Sequence, residues 1–483
     1  MAGRVPFPQP LPGIIWDIRS EIRPMAPGSE RGIVIDMMPL SWFNPDEVID
    51  IHQREWQSSF AITKLGVSAA MAAPDDEFDR DVQRSLLALM ASGRVGDEPY
   101  GPVEALIFPQ NTGGAKAQAT QGDITWIAKK NGEAGNKITV NLVAQNGMYT
   151  LTTFFNAQRM YVQGFYDISQ LKTMLQANML IDAEYDETAK IALGEVMLEG
   201  GDNGTIPDYA TRLQAFLDKA SMKTWHTLSL AIAPDDPGYA QARTTTRSWL
   251  RQINIDLKEE RHCVMCSHFG DENAGMDSDQ IDIIFQDVEW NNDYWLGLAN
   301  TVRLFAGRSA GMPANRSQTN RVINNVTAVR KDVYPLDGMT IRQQQDANNR
   351  GLFAVIENWD GRYKIQDDIN SFVSWVPEKN LQWRSNRTKR GLHDSKVRIN
   401  RMFDTQHKGR TSNNLRGREL ILGDVDNVFS IQETEEIMQN HDISKLAVFP
   451  SETSPTAARI EARGIMYVEA ISNLDFDMTI TWG

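Results

Sequence analysis

The sequence predicts an α/β core interrupted by a small β-rich, sandwich-like domain. Two observations carry this reading. After Gly200, strand-like apolar runs alternate with amphipathic helical segments. Between Gly114 and Leu198 the pattern changes to short alternating runs separated by Gly and Asn turns. The flanks of that stretch, Ala105–Phe108 and Leu228–Ala233, read as buried strands of a different unit, so the β-rich part is expected to be an insertion. At 483 residues the chain is too long for one hydrophobic core.

Taken in order, residues 1–30 are rich in Pro and Gly, with one short apolar run, Ile14-Ile15-Trp16, and read as an extended arm. Arg31–Leu40 reads as a buried strand. Phe78, Val82, Leu86, Leu87 and Met90 recur at helical spacing and predict a helix over Glu77–Ala91. In the insert, "DITWIA", "KITVNLVA", "MYTLTTFF" and "RMYVQGF" read as strands. The second half predicts a helix over Tyr209–Ala220 capped by Asp208, a strand at Leu228–Ala233 and a helix over Ala240–Lys258. Strands at His262–Phe269 and Ile281–Val288 and a helix near Tyr294–Phe305 follow. Gly351–Glu357 and Arg362–Gln366 predict a hairpin across "NWDG", with basic helices after Pro377 and an acidic helix near Ile431–Asn440. The last expected strands are Gly464–Ile471 and Leu474–Trp482. In the second of these, Leu474, Phe476, Met478, Ile480 and Trp482 alternate with Asp475, Asp477, Thr479 and Thr481.

Hydrophobic residues make up 41% and charged residues 23% of the chain, the balance of a soluble globular protein. No apolar run reaches the length of a membrane span, and no signal-peptide pattern opens the chain, so the protein is expected to stay where it is made. Two cysteines give no disulfide framework. A net charge of −14 argues against general nucleic-acid binding. The charge is uneven, however. Leu381–Arg418 holds eleven Lys/Arg and two acids, +9 in all, which leaves −23 for the rest. Such a run reads as a solvated face or as a docking surface for something acidic.

Three stretches resemble chemical motifs. In "RHCVMCSH", His262, Cys266 and His268 share one face of a strand and offer zinc-type ligands, but Cys263 points away. A core strand with two buried thiols is the reading taken. "GRSAG" matches the G-x-S-x-G elbow of an α/β hydrolase, with Ser309 as nucleophile and His393, His407 and His441 as possible bases. The elbow needs a strand before the serine, whereas "DYWLGLANTVRLFA" has helical spacing. "EGGDNGT" lacks the lysine of a phosphate-binding loop. The expectation is therefore no catalytic residue, no cofactor and no metal.

"NTGGAKAQAT" leading into "GEAGNKITVNL", then "LEGGDNGT", "FAGRSAGMPANRSQTNR" and "GRYKIQDDINSFVSWVPEKNLQWRSNR" occur in one order. This order resembles the tail sheath proteins of contractile-tailed phages, particularly the small sheaths of simple myoviruses and phage-tail-like bacteriocins. Gln366–Asn380 is the most specific part, and the likeness runs from about Leu11 to the C-terminal strand. It is looser over Asp46–Pro102 and Thr405–Leu422.

The resemblance implies a core α/β sheath domain over 31–113 and 199–472, an outward-facing insert over 114–198, and strand arms at 1–30 and 473–483. It implies a structural, non-enzymatic subunit of a virion tail, assembled in the host bacterial cytoplasm. The subunit would form stacked hexameric rings in a helical homo-oligomer around a tail tube protein, with baseplate and tail terminator proteins at the ends. It implies no membrane and no direct nucleic-acid partner. The sheath of a bacterial injection system or R-type bacteriocin is the closest alternative. Ile14, Ile15, Trp16 and Ile18, with Leu474, Phe476, Met478, Ile480 and Trp482, would form the inter-subunit strands. Part of the basic run would face an acidic tube surface through exposed contacts, with Arg384, Arg387, Lys389, Arg390, Lys396, Arg398 and Arg401 as unranked candidates. The "GRSAG" position would be a small-residue segment following a helix.

Overall fold

The structure is a computed structural model. It describes residues 32–90, 101–257, 260–267, 276–330, 340–374, 379, 381–450, 458–462 and 466–469, with the backbone of 93–95 and 98–100.

The core is a seven-stranded sheet. In chain order its strands are β1 (Ile33–Met38), β2 (Ile49–His52), β3 (Glu104–Pro109), β4 (Thr227–Leu230), β5 (His262–Cys266), β6 (Ile281–Ile284) and β7 (Leu352–Phe353). In space they run β7-β6-β5-β4-β1-β3-β2. Every pair is parallel except β2 with β3. This explains the burial pattern. The parallel strands β4, β5 and β6 are buried at every residue because helices cover both faces. The antiparallel edge strand β2 alternates instead, with Ile49 and Ile51 inside and Asp50 and His52 outside.

Four helices make those covers: α1 (Glu77–Met90), α2 (Tyr209–Ser221), α3 (Tyr239–Leu257) and α4 (Gly297–Gly311). On one face, Arg303 of α4 donates from Nε to Asp36 of β1 at 2.7 Å, with both side chains buried. On the other, Phe108 of β3 meets Phe216 of α2 with ring centroids 5.9 Å apart. α4 lies hard against the chain that ends α1. A Cβ on Gly307 would come within 1.9 Å of the Leu89 carbonyl, so only glycine fits there.

The insert carries its own core. A four-stranded antiparallel sheet runs Gln158–Phe165, Met148–Phe155, Ile138–Gln145, Gly194–Met197. A three-stranded one runs Ile181–Glu184, Ile124–Ala128, Gln118–Gln121. Trp126, Val140, Leu142, Leu151 and Phe155 fill the space between, joined by Trp42 and Ile62 from outside the predicted 114–198 segment. A third cluster forms where α5 (Asn386–Met402) meets α6 (Leu415–Thr434). Met402, Ile421, Val425, Phe429, Met438 and Leu446 are buried together there.

Several sequence expectations need correction. The helix expected near Tyr294 begins at Gly297, whose φ of +75° breaks the preceding chain, and Tyr294–Trp295 pairs with Val288–Trp290 instead. Of the acidic helix expected near Ile431–Asn440, only Ile431–Thr434 is helical, as the end of α6. α6 stops at Thr434, Glu436 and Asn440 have left-handed backbones, and Met438–Gln439 pairs with Met466–Tyr467. Asp208 stands at the start of α2 but makes no side-chain cap; its carbonyl accepts from the Thr211 and Arg212 N–H groups. β4 and β5 are shorter than expected, and His268 and Phe269 lie outside the described residues.

Candidate assembly surfaces and the buried charge seam of α5

The basic run folds mainly into α5, and most of its charge is turned inward. α5 starts at Ser385, whose side chain accepts from the Thr388 N–H as an N-cap. Lys389 is buried and donates to Glu260 at 2.6 Å and to Asp279 at 2.8 Å. Lys379 reaches the same Asp279 at 3.0 Å, and Lys396 pairs with the other Glu260 oxygen. Arg390 pairs with Asp368, both buried. Arg398 donates from Nε to Asp394 at 2.7 Å and from a terminal nitrogen to Glu435 at 2.6 Å. Arg387 donates to the Glu436 carbonyl.

The electrostatics follow from this geometry. Burial pushes the Glu260 carboxyl up, but Lys389 and Lys396 outweigh it and hold it below its usual value. Asp279 is lowered in the same way by Lys389 and Lys379, and Asp368 by Arg390. Arg384 and Arg387 are shifted down, first by burial. The expected exposed cationic face is thus corrected. Lys389 and Arg390 are internal, Arg384, Arg387, Lys396 and Arg398 are half-buried, and of the seven only Arg401 is exposed. Acids from distant segments meet the run in the fold and draw its charge inside.

The other predicted sites also resolve. Ser309 is buried inside α4, with no strand before it, so the hydrolase elbow does not form and the small-residue segment is part of the helix rather than after it. His407 and His441 are taken by Asp424 at 2.8 Å and Asp426 at 2.7 Å. In β5, Cys266 donates to the Ile232 carbonyl and His262 lies 2.9 Å from Asp282, so these residues serve the sheet. Both thiols are buried, and burial pushes them up, Cys266 to about 12. Sequence reasoning missed Asp50, His52 and Glu104, whose ligand atoms lie within 4.8 Å of one another where β2 pairs with β3. Asp50 and His52 are exposed there and Asp50 is engaged by Lys64 at 3.2 Å.

The arm candidates Ile14, Ile15, Trp16 and Ile18, and Leu474, Phe476, Met478, Ile480 and Trp482, lie outside the described residues. Close to the second of them in sequence, Leu446–Pro450 and Ala458–Ala462 form a two-stranded antiparallel sheet with Phe449 and Ile460 partly exposed. Two strands alone are marginal in water. No helix among the described residues is long and apolar enough to cross a membrane.

No protein-family profile and no curated protein matches the chain. Solved structures do. The sheath tail protein from Desulfitobacterium hafniense superposes with a TM-score of 0.68 at 21% identity, over 94% of this chain and 99% of that one. The sheath tail protein from Listeria innocua gives 0.71 at 18% identity, over 91% and 94%. The insert, the parallel core and the α5–α6 region therefore belong to one architecture, and this chain has the α/β fold of the sheath tail proteins.

Proposed function

We propose that this chain is the structural subunit of a contractile tail sheath, a helical homo-oligomer of stacked hexameric rings around a tail tube that contracts to drive the tube through a host envelope. The observation that supports this most is the extent of the likeness. Both solved sheath tail proteins are matched over more than nine-tenths of their own length, so core and insert are shared together. The partners in this reading are the tube protein, the baseplate and the terminator. The particle is a phage tail or the related tail of an injection device or R-type bacteriocin.

Contraction moves neighbouring subunits by large amounts, and a link that survives must be a flexible strand rather than a packed face. In this reading Leu11–Ile18 and Leu474–Trp482 add to sheets of neighbouring copies. The sheet of Leu446–Pro450 with Ala458–Ala462 is a natural acceptor, because it has only two strands among the described residues and partly exposed Phe449 and Ile460. Arg401 is the remaining exposed member of the proposed tube-facing set, and single exposed pairs there are worth roughly 0–1 kcal/mol, weak enough to release. Deleting Asn473–Gly483 should leave a folded monomer by circular dichroism and abolish tubes in negative-stain micrographs. Normal tubes from the truncated chain would overturn the strand-exchange reading.

A further inference from the structure

Trp359 is 93% exposed, the most exposed large apolar side chain among the described residues. It sits at the tip of the hairpin formed by Val355–Glu357 and Tyr363–Ile365. The tip is tightly held: the Asn358 N–H donates to the Arg362 carbonyl at 2.7 Å, and Gly361 takes the left-handed backbone its turn requires. The base is held too. Val355 exchanges two hydrogen bonds with the Gln286 side chain, at 2.7 and 3.0 Å, and Val355 and Ile365 are buried. A tryptophan carried into water on a rigid protrusion is the form of an interface anchor.

At the other end of the core lies a cleft of about 520 Å3 between α3 and α5. That is within the ~300–1,000 Å3 range of sites that enclose a compact ligand group. Ile255, itself 61% exposed, and Ile399 line it, with Arg251, Lys379 and Lys396; Lys379 and Lys396 are paired to Asp279 and Glu260, which leaves the cleft with a positive excess. The hairpin tip is complementary, with Glu357 and Asp360 exposed beside the indole and Arg362 paired to Asp360. Cations also favour an aromatic face.

The placement matters as much as the chemistry. Glu260 and Gln280 immediately precede β5 and β6, so the cleft is at the end where the parallel strands start. The hairpin immediately follows β7, so Trp359 is at the end where they finish. A knob and a hole on opposite ends of one molecule make a head-to-tail contact, which generates rows of subunits and not closed pairs.

We propose that Trp359 of one copy docks in the α3–α5 cleft of the next, a second inter-subunit contact besides the strand arms; it deepens the sheath reading by naming a packed contact between copies. The test mixes two full-length variants that keep the indole, Asn358→Cys and Ile255→Cys, under mild oxidation; the native Cys263 and Cys266 are buried. The expected result is a mixed 358–255 disulfide dimer in preference to either homodimer. The double variant should give a ladder of multimers. Homodimers alone, no cross-link, or a closed dimer from the double variant would overturn the proposal. Tubes without the mixed cross-link would leave the sheath reading standing and remove this contact. The mixed cross-link from a chain that forms no tubes would support the contact and count against the sheath. As a second measure, Trp359→Ala should leave the monomer folded and raise the concentration needed for assembly by about 30-fold, the scale of a hot-spot truncation. An unchanged threshold would also overturn it.

Discussion

The insert and the α5 region are held together by different physics. The insert is closed by an apolar interior, with Trp126, Leu151 and Phe155 buried between two antiparallel sheets and only a few neutral polar groups, such as Thr153 and Asn178, inside. α5 is seated on the core through a chain of charges, Lys379–Asp279–Lys389–Glu260–Lys396, whose middle is buried and whose end lysines are half-buried, with the buried pair Arg390–Asp368 beside it. An apolar core tolerates change of any one contact in proportion to the area lost. A buried charge seam does not, because removing one partner strands the other in a low-dielectric interior. The difference predicts that the attachment of α5 responds to acid.

Removing a seam partner should have the largest effect. Arg390→Ala leaves Asp368 buried without its cation, with the Gln318 N–H still donating to it, and should cost about 3–5 kcal/mol, read from chemical denaturation. A loss within that of an ordinary surface substitution would mean that α5 is held by its apolar contacts instead. Acid comes next. Glu260, Asp279 and Asp368 are held below their usual values in the folded chain, so the stability they contribute is complete above the unfolded value of about 4. It is lost as pH falls below about 4 through the lowered folded values. Hydrogen exchange should show α5 amides losing protection in that window before those of Met148–Phe155 in the insert. Simultaneous loss would erase the distinction between the two regions. The smallest change belongs to an exposed pair. Lys408 and Asp404 are both exposed at 2.8 Å, and Lys408→Ala should alter stability by less than about 1 kcal/mol, with the difference vanishing at high salt.

The same two regions are unequally legible in the sequence. "MYTLTTFF" reads as a strand and is one from Met148 to Phe155, because alternation is a local property that survives folding. Helices α1, α2 and α3 likewise follow from 3.6-residue spacing to within a residue or two of their observed ends. The basic run misleads. Its density suggests a solvated face, yet Lys389 finds its partners 129 and 110 positions away, at Glu260 and Asp279. Nothing near Lys389 in the chain signals those acids. The acidic segment after Ile431 misleads for a related reason, since its helical composition yields to turns at Glu436 and Asn440 and to pairing with Met466–Tyr467.

Local pattern is enough to set the α/β class, the change of character at the β-rich stretch and the order of most elements, because periodicity is written residue by residue. It also marks Ser309 as following a helical stretch rather than standing on an elbow. Packing alone settles which charges are interior, that α5 is clamped to the starts of β5 and β6, and that Trp359 and the α3–α5 cleft stand at opposite ends of the sheet. Those facts depend on residues brought together from far apart in the chain, and a local pattern has no means of encoding which distant partner will arrive.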